Sequence, residues 1–361
     1  AFGDVDNDGD RDLYVTTTRG GNVFFRNEGK GRFVDATQAT GLAMVRHSES
    51  PVFFDYDGDG FLDLFVTNTA EWTFGDPDPK IKYYRGRANL LQMASSPPER
   101  SVLYRNRGDG TFEDVTERAG VGGSGWDGDV AVFDYDEDGR LDLLVTNMFG
   151  ATRLFRNAGD GTFADVTRSS LGRVPWGCMG AKAFDYDGDA RLDLFLVDMH
   201  SDMWMTPGFD PSWIEEKRRY TFFTQRLAEV GVIVPGAEKE FADQFKVKYE
   251  DVVFGNALYR NLGGGKFEER SQEAGVETFW PWSVATGDFD NDGHEDVFVA
   301  SGMGYPFPYW RNSLLMNNGD GTFTDRSGST GIDPPAGGPT LGFKLGDIEA
   351  TRSSRSAATG D

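Results

Sequence analysis

Asp134-Tyr135-Asp136-Glu137-Asp138-Gly139-Arg140-Leu141-Asp142 is one of five copies of the same nine-residue pattern. The others begin at Asp4, Asp55, Asp185 and Asp288, and an apolar run follows each. The pattern is D-x-D-x-D-G-x-x-D, with Ala190 replacing glycine in the fourth copy. Four carboxylates at alternating positions repel one another unless a cation lies between them. A hard ion with oxygen ligands fits, and Ca²⁺ fits best because it takes six to eight oxygens in flexible geometry. Positions one, three, five and nine supply side chains: Asp4, Asp6, Asp8 and Asp12; Asp55, Asp57, Asp59 and Asp63; Asp134, Asp136, Asp138 and Asp142; Asp185, Asp187, Asp189 and Asp193; Asp288, Asp290, Asp292 and Asp296. Position seven supplies a backbone carbonyl, at Asp10, Phe61, Arg140, Arg191 and His294. Glycine at position six permits the positive φ that turns the loop back. About five Ca²⁺ sites are expected.

An EF-hand begins in the same way but requires a bidentate Glu at position twelve. Here that position holds Val15, Val66, Val145, Leu196 and Val299, so the EF-hand is excluded. An acidic surface turn without metal is the plainer alternative, and five copies in fixed phase weigh against it.

A second motif, R-N-x-G-x-G-x-F, alternates with the loop. It occurs at Arg26–Phe33, Arg105–Phe112, Arg156–Phe163 and Arg260–Phe267, and at Met316–Phe323 without the arginine. Apolar residues flank a Gly-x-Gly turn, which is a β-hairpin signature. From hairpin Phe to the next loop Asp the interval is 22 residues three times and 21 once. The return interval is 29 in repeats one and three and longer in the others, so it carries every insertion. The unit therefore holds four short strands, as at Val130–Phe133, Leu141–Thr146, Arg153–Arg156 and Thr162–Val166. Such a unit, repeated, describes an all-β propeller whose blades stack because one sheet cannot bury both faces.

Antiparallel order puts the acidic loops and the hairpin turns on one side of each sheet. The insertions near 68–101, 198–255 and 301–312 share the other. The largest contains an amphipathic pattern at Ser212–Gly231, which predicts a helix, and Glu238–Glu250 suits a second. His47, Trp126, Trp176, Trp280 and Trp282 lie on connections reaching the same side, making them candidate ligand-binding residues. The alternative is that these aromatics cap the contacts between blades. One domain is expected over residues 1–346, with a disordered tail at 347–361. Leu341–Glu349 resembles a first strand entering a sixth loop: either the propeller is incomplete here, or this strand, with Phe343, supplies the first strand that the first repeat lacks and closes five blades.

The chain of 361 residues has 59 acidic and 36 basic side chains, for a net charge of −23. Five divalent ions would offset roughly ten of those charges. So acidic a protein is a poor partner for nucleic acid. The single cysteine, Cys178, excludes an intrachain disulfide framework. No apolar run reaches membrane-span length. The chain opens inside a repeat with neither initiator Met nor signal peptide, and reads as a fragment or processed chain. Arg107-Gly108-Asp109 spells an adhesion tripeptide but occupies the hairpin turn. Gly123–Gly128 matches G-x-G-x-x-G but precedes a strand, so the dinucleotide reading fails. Neither Cys178 nor His47, His200 and His294 has the spacing of a catalytic or metal site.

The loop together with Arg105–Thr116 and Arg156–Thr167 resembles the FG-GAP, or VCBS, repeat of integrin α-chain propellers. Asp198–Met203 and Met303–Pro308 are similar to the ASPIC/UnbV group, related to cartilage acidic protein. The resemblance covers nearly the whole chain. It implies a seven-bladed, Ca²⁺-binding propeller located outside the cell, at its surface or in the periplasm, with the loop aspartates as metal ligands. Five repeats are visible here. The expectation is a non-enzymatic module with structural Ca²⁺ that binds a protein or glycan on the side opposite the loops. The alternative is a Ca²⁺-dependent polysaccharide lyase or hydrolase, with Asp198, Asp202, Glu215 and Glu216 as the available acid/base groups.

Overall fold

The computed structural model describes residues 1–74, 87–88, 96–123, 125–199, 252–253, 255–278, 281–301 and 312–332. The chain divides into two compact units, Ala1–Ser170 and Leu171–Asp361.

The first unit holds three four-stranded antiparallel sheets. Sheet one comprises Phe2–Gly3, Asp12–Val15, Val23–Asn27 and Phe33–Asp35. Sheet two comprises Ser48–Phe54, Asp63–Asn68, Val102–Asn106 and Phe112–Asp114. Sheet three comprises Asp127–Phe133, Asp142–Asn147, Arg153–Asn157 and Phe163–Asp165. The second unit holds two more. Sheet four is Cys178–Phe184, Asp193–Asp198, Ala257–Asn261 and Phe267–Glu269. Sheet five is Pro281–Gly287, Asp296–Ser301, Ser313–Asn317 and Phe323–Asp325. In every sheet the strands pair in chain order, so the four-strand unit read from the motif spacing is what forms. The first strand is longer than its apolar run indicates. In sheet three it starts at Asp127, and a register shift between Asp127 and Val130 accommodates the extra residues.

Second strands such as Asp142-Leu-Leu-Val-Thr-Asn147 are buried along their whole length. An apolar run without alternation belongs to a strand covered on both faces. The cores accordingly lie between consecutive sheets. One joins sheets one and two through Tyr14, Phe24, Leu64, Val66 and Phe112. Another joins sheets two and three through Phe54, Phe65, Leu103, Leu143 and Phe155. In the second unit, Phe184, Phe195, Leu258, Val297 and Leu315 join sheets four and five. The first strands of sheets two and three pack against one another, as do those of sheets four and five.

Four one-turn helices escaped the sequence reading: Thr37–Thr40, Thr116–Ala119, Thr167–Ser170 and Ser271–Ala274. Four residues show no helical periodicity. Their cause is the D-x-T at the end of the first three of these hairpins and its counterpart Glu269-Arg270-Ser271 at the fourth. Asp114 Oδ1 accepts the Thr116 N–H (3.1 Å) and hydroxyl (2.6 Å), and Thr116 Oγ1 accepts the Leu103 N–H (2.9 Å). Glycine closes the turn in the left-handed region, as at Gly120 (φ 77°).

The expected helices at Ser212–Gly231 and Glu238–Glu250, the 347–361 tail and the closing strand around Phe343 lie outside the described residues.

Candidate metal centres in the repeated loops

Each acidic loop is wound around the carboxylate at position one. Asp185 Oδ1 accepts the N–H groups of Gly188 (2.9 Å) and Asp189 (3.1 Å), and its Oδ2 accepts that of Ala190 (2.8 Å). Asp55 is held by three donors in the same way, and Asp4, Asp134 and Asp288 by two. The tight winding needs positive φ at two positions, not one. Position six has it at Gly9, Gly60, Gly139 and Gly293, and also at Ala190 (φ 66°). Position four has it at Asn7, Gly58, Glu137, Gly188 and Asn291. Ala190 thus keeps the shape of the loop and its hydrogen bond while carrying a Cβ where glycine is preferred. Ala190→Gly should raise stability by about 1 kcal/mol, the relief of the left-handed Cβ less the entropy of glycine. A denaturation midpoint that does not rise would count against the strain.

Position nine is the first residue of the second strand, and all five of its aspartates are fully buried. Each carboxylate bridges two elements. Asp142 accepts the N–H of Tyr135 at position two (3.1 Å) and that of Asn157 in the hairpin (2.7 Å). The other four repeat the pair of bonds. Burial nevertheless pushes Asp63 and Asp193 up to about 7 and Asp142 up to about 6, with the neighbouring loop aspartates adding to the rise. A carboxylate this costly to ionise indicates that a positive charge belongs nearby.

Ligand oxygens of positions one, three and nine lie within 4.8 Å of one another in loops two to five: Asp55, Asp57 and Asp63; Asp134, Asp136 and Asp142; Asp185, Asp187 and Asp193; Asp288, Asp290 and Asp296. In the first loop the group is Asp4, Asp6 and Asp8. Ca²⁺–oxygen distances of about 2.3–2.6 Å place two ligands of one ion up to about 5 Å apart, so the groups have the right size. Two further atoms support the fit. Oδ1 of Asp136 and Oδ1 of Asp187 are buried with no hydrogen-bond partner, a state a metal ion would relieve.

The expected four-carboxylate set is modified at position five in loops two to four. Asp59, Asp138 and Asp189 accept the N–H of position seven and pair with the hairpin arginine. Arg105 spans Asp57 (2.5 Å) and Asp59 (2.8 Å), and Arg156 spans Asp136 (2.6 Å) and Asp138 (2.7 Å). Arg140 and Arg191 at position seven also pair with Asp138 and Asp189.

The hairpin's Asn and Gly have roles the spacing did not disclose. The Asn amide reaches the preceding sheet: Asn106 donates to the Val5 carbonyl, Asn157 to Tyr56 and Asn317 to Tyr186, each at 2.7 Å. The rings stack across the same junctions, with Tyr56 and Phe163 centroids 6.1 Å apart and Tyr186 and Phe323 6.3 Å apart. The first hairpin glycine makes room for the position-seven side chain. A Cβ at Gly108 would lie 2.9 Å from Phe61, and one at Gly319 2.6 Å from His294 Nε2.

Among the candidate ligand-binding residues, His47, Trp126 and Trp176 are buried. His47 Nε2 meets Thr73 Oγ1 at 2.7 Å and its Nδ1 meets Glu99 at 3.2 Å. Trp126 stands edge-on to Phe149 at 4.8 Å. These three side chains pack the interior, as the blade-capping alternative describes. Trp282 is half-buried in the first strand of sheet five, and Trp280 lies outside the described residues. Of the acid/base candidates, Asp198 is fully buried and accepts the Gly255 N–H at 3.3 Å. Asp202, Glu215 and Glu216 lie outside the described residues. Asp109 of the Arg-Gly-Asp stretch caps its own turn through Thr111, and Cys178 is buried in the first strand of sheet four.

A buried carboxylate outside the loops offers a pH test. Asp127 sits between Ser101 Oγ (2.5 Å) and Asn147 Nδ2 (3.0 Å), and burial pushes it up to about 6. Its unfolded value is about 3.9. The folded state therefore holds an extra proton between those values, and the stability this gives falls as pH rises through about 6. Asp127→Asn should flatten the loss of stability between about pH 4 and 6 in urea titrations; an unchanged slope would exclude Asp127 as its source.

The sequence profile of the FG-GAP-like repeat matches residues 4–66, 89–145, 134–196, 248–299 and 288–350. Cartilage acidic protein 1 of Homo sapiens is 25% identical over 249 residues, which is 54% of this chain and 37% of that protein. The Xenopus tropicalis protein of that name is 33% identical over 100 residues, covering 27% of this chain and 15% of its own length. The chain thus spans less than two fifths of the length of the curated relatives it matches. Among solved structures, a lectin of Agrocybe aegerita that recognises non-reducing terminal N-acetylglucosamine aligns over 90% of this chain and 64% of its own, with 17% identity and a TM-score of 0.42.

Proposed function

This chain belongs to the FG-GAP-like repeat family, and on that premise we propose that it is a Ca²⁺-binding β-propeller segment acting outside the cell as a non-enzymatic module for a protein or glycan ligand. The observation that carries the proposal is the recurrence of one carboxylate triad in four loops, with buried oxygens of Asp136 and Asp187 left without partners. Within each unit the first strands pack side by side and the cores lie between consecutive sheets, the arrangement of neighbouring blades around an axis. The metal supplies charge neutralisation and cross-links the loop. The chain's own residues do the rest: position one winds the loop, position nine ties it to the hairpin, and the hairpin Asn ties it to the sheet before. Ca²⁺ here is structural, because the triads of loops two to five include the position-nine aspartate that joins second strand to hairpin. Loops of this type bind at about 10⁻⁴–10⁻³ M in extracellular proteins. That range suits a location outside the cell, as does the name of the relatives. No helix among the described residues is long and apolar enough to cross a membrane.

The test is a glycan and extracellular-protein array probed with the full chain in Ca²⁺ and in chelator, with product analysis on every hit. Ca²⁺-dependent retention of an intact ligand supports the module. Cleavage products would replace it with a lyase or hydrolase.

A further inference from the structure

We infer that the hairpin arginines Arg105, Arg156 and Arg260 are internal counter-cations that keep loops 55–63, 134–142 and 185–193 formed without metal, so that metal dependence is concentrated in the loops at Asp4–Asp12 and Asp288–Asp296. The part concerning Ca²⁺ rests on the metal reading above; the part concerning the metal-free chain does not.

The five hairpins share one register, which places these residues at equivalent points. Arg105 faces Glu113, Arg156 faces Ala164 and Arg260 faces Glu268, while Arg26 faces Val34 and Met316 faces Thr324. From that point three arginines reach over their own loop. Arg260 lies over the equivalent carboxylates, 2.6 Å from Asp187 and 3.4 Å from Asp189, but only its contact with Asp189 has hydrogen-bond geometry. The carboxylates they hold are largely shielded, with side chains 12% to 29% exposed. A fork spanning two shielded carboxylates counts for more than a single surface pair. Arg26 turns instead to Glu28 at 3.2 Å, and Met316 carries no charge. Among the described residues no Lys or Arg pairs with Asp288, Asp290, Asp292 or Asp296.

The effect shows at position three. In loops three and four the arginine holds Oδ2 of Asp136 and of Asp187, and Oδ1 stays buried and unpartnered. In loop five, without an arginine, Asp290 Oδ1 falls back on the Asp292 N–H at 3.2 Å. The guanidinium therefore does two things: it offsets repulsion within the triad, and by taking Oδ2 it leaves a buried Oδ1 free for an ion. In loop five no Lys or Arg among the described residues does the first.

Hydrogen exchange of the full chain, with and without Ca²⁺, tests this. In chelator, amides of 288–296 should exchange about tenfold faster than those of 134–142, and Ca²⁺ should close the gap. Met316→Arg should restore protection at 288–296 in chelator. Arg156→Met should remove it at 134–142, with Arg156→Lys between the two. Unchanged protection in both Met316→Arg and Arg156→Met, with the proteins folded by circular dichroism, would overturn the inference. If Ca²⁺ altered no loop in any variant, the metal reading would fall, and the exchange in chelator would still decide the role of the arginines.

Discussion

Chelation should lower the melting temperature by about 5–10 °C for each site emptied, estimated for units of roughly 170 residues. At about 100 times Kd, a bound ion contributes roughly 2.7 kcal/mol per site. In the metal-free chain the triads leave three carboxylates within 4.8 Å of one another, one of them fully buried in loops two to five. The loss should come mainly from the first and fifth loops, which among the described residues have no arginine set over their carboxylates; in the fifth, Asp296 joins the loop to the hairpin through Phe289 N and Asn317 N. Mg²⁺ should restore less, since it demands near-ideal octahedral geometry and gives up its waters reluctantly. The measurement is a thermal melt in chelator, in millimolar Ca²⁺ and in millimolar Mg²⁺. Coincident melts in chelator and Ca²⁺ would remove the structural role of the metal.

Asp142→Ala should cost about 3–5 kcal/mol even in chelator, because it strips the partner from two buried N–H groups at about 1–3 kcal/mol each. Those groups are Tyr135 N and Asn157 N, and the carboxylate that satisfies them is fully buried. Asp136→Ala is the control. Asp136 belongs to the same triad, yet the hydrogen bond it accepts comes from Arg156, whose own side chain is half-exposed, and not from the backbone. In chelator its truncation should change stability by less than about 1 kcal/mol, the range of partly exposed ion pairs. In Ca²⁺ both variants should lose the metal's contribution. Equal losses for the two in chelator would show that position nine is only a ligand and not a fastener. The comparison thus separates the two duties the loop aspartates share.

The four-strand unit was legible because two punctuating motifs recur at fixed intervals, and strand order follows from short antiparallel connections. The positive φ at position six was legible from glycine, and at Ala190 from the phase of the repeat. Position four was not read, because it alternates between Asn and Gly and holds Glu137 in the third copy, so no single residue type recurs there. The one-turn helices were hidden because their signal is a side-chain capping pattern, Asp114 to Thr116, rather than a periodicity. His47, Trp126 and Trp176 drew attention as aromatics on connections. Whether such a ring meets solvent or an adjacent sheet depends on packing between repeats, which a linear reading does not contain.

What the residues determine by themselves is the local unit: an acidic loop folded around its own first aspartate, a hairpin after it, and apolar strands that must be covered on both faces. Those features depend on neighbours within a few residues, so chain order specifies them. What only the tertiary structure decided is the division of labour among equivalent side chains. Position nine turns out to be a strand fastener, Asn157 a link to the carbonyl of Tyr56 one hundred and one residues earlier, and Arg156 a cation set over its own loop. Each of these depends on which atoms of distant segments come within about 3 Å, and hydrogen-bond energy is negligible beyond that reach.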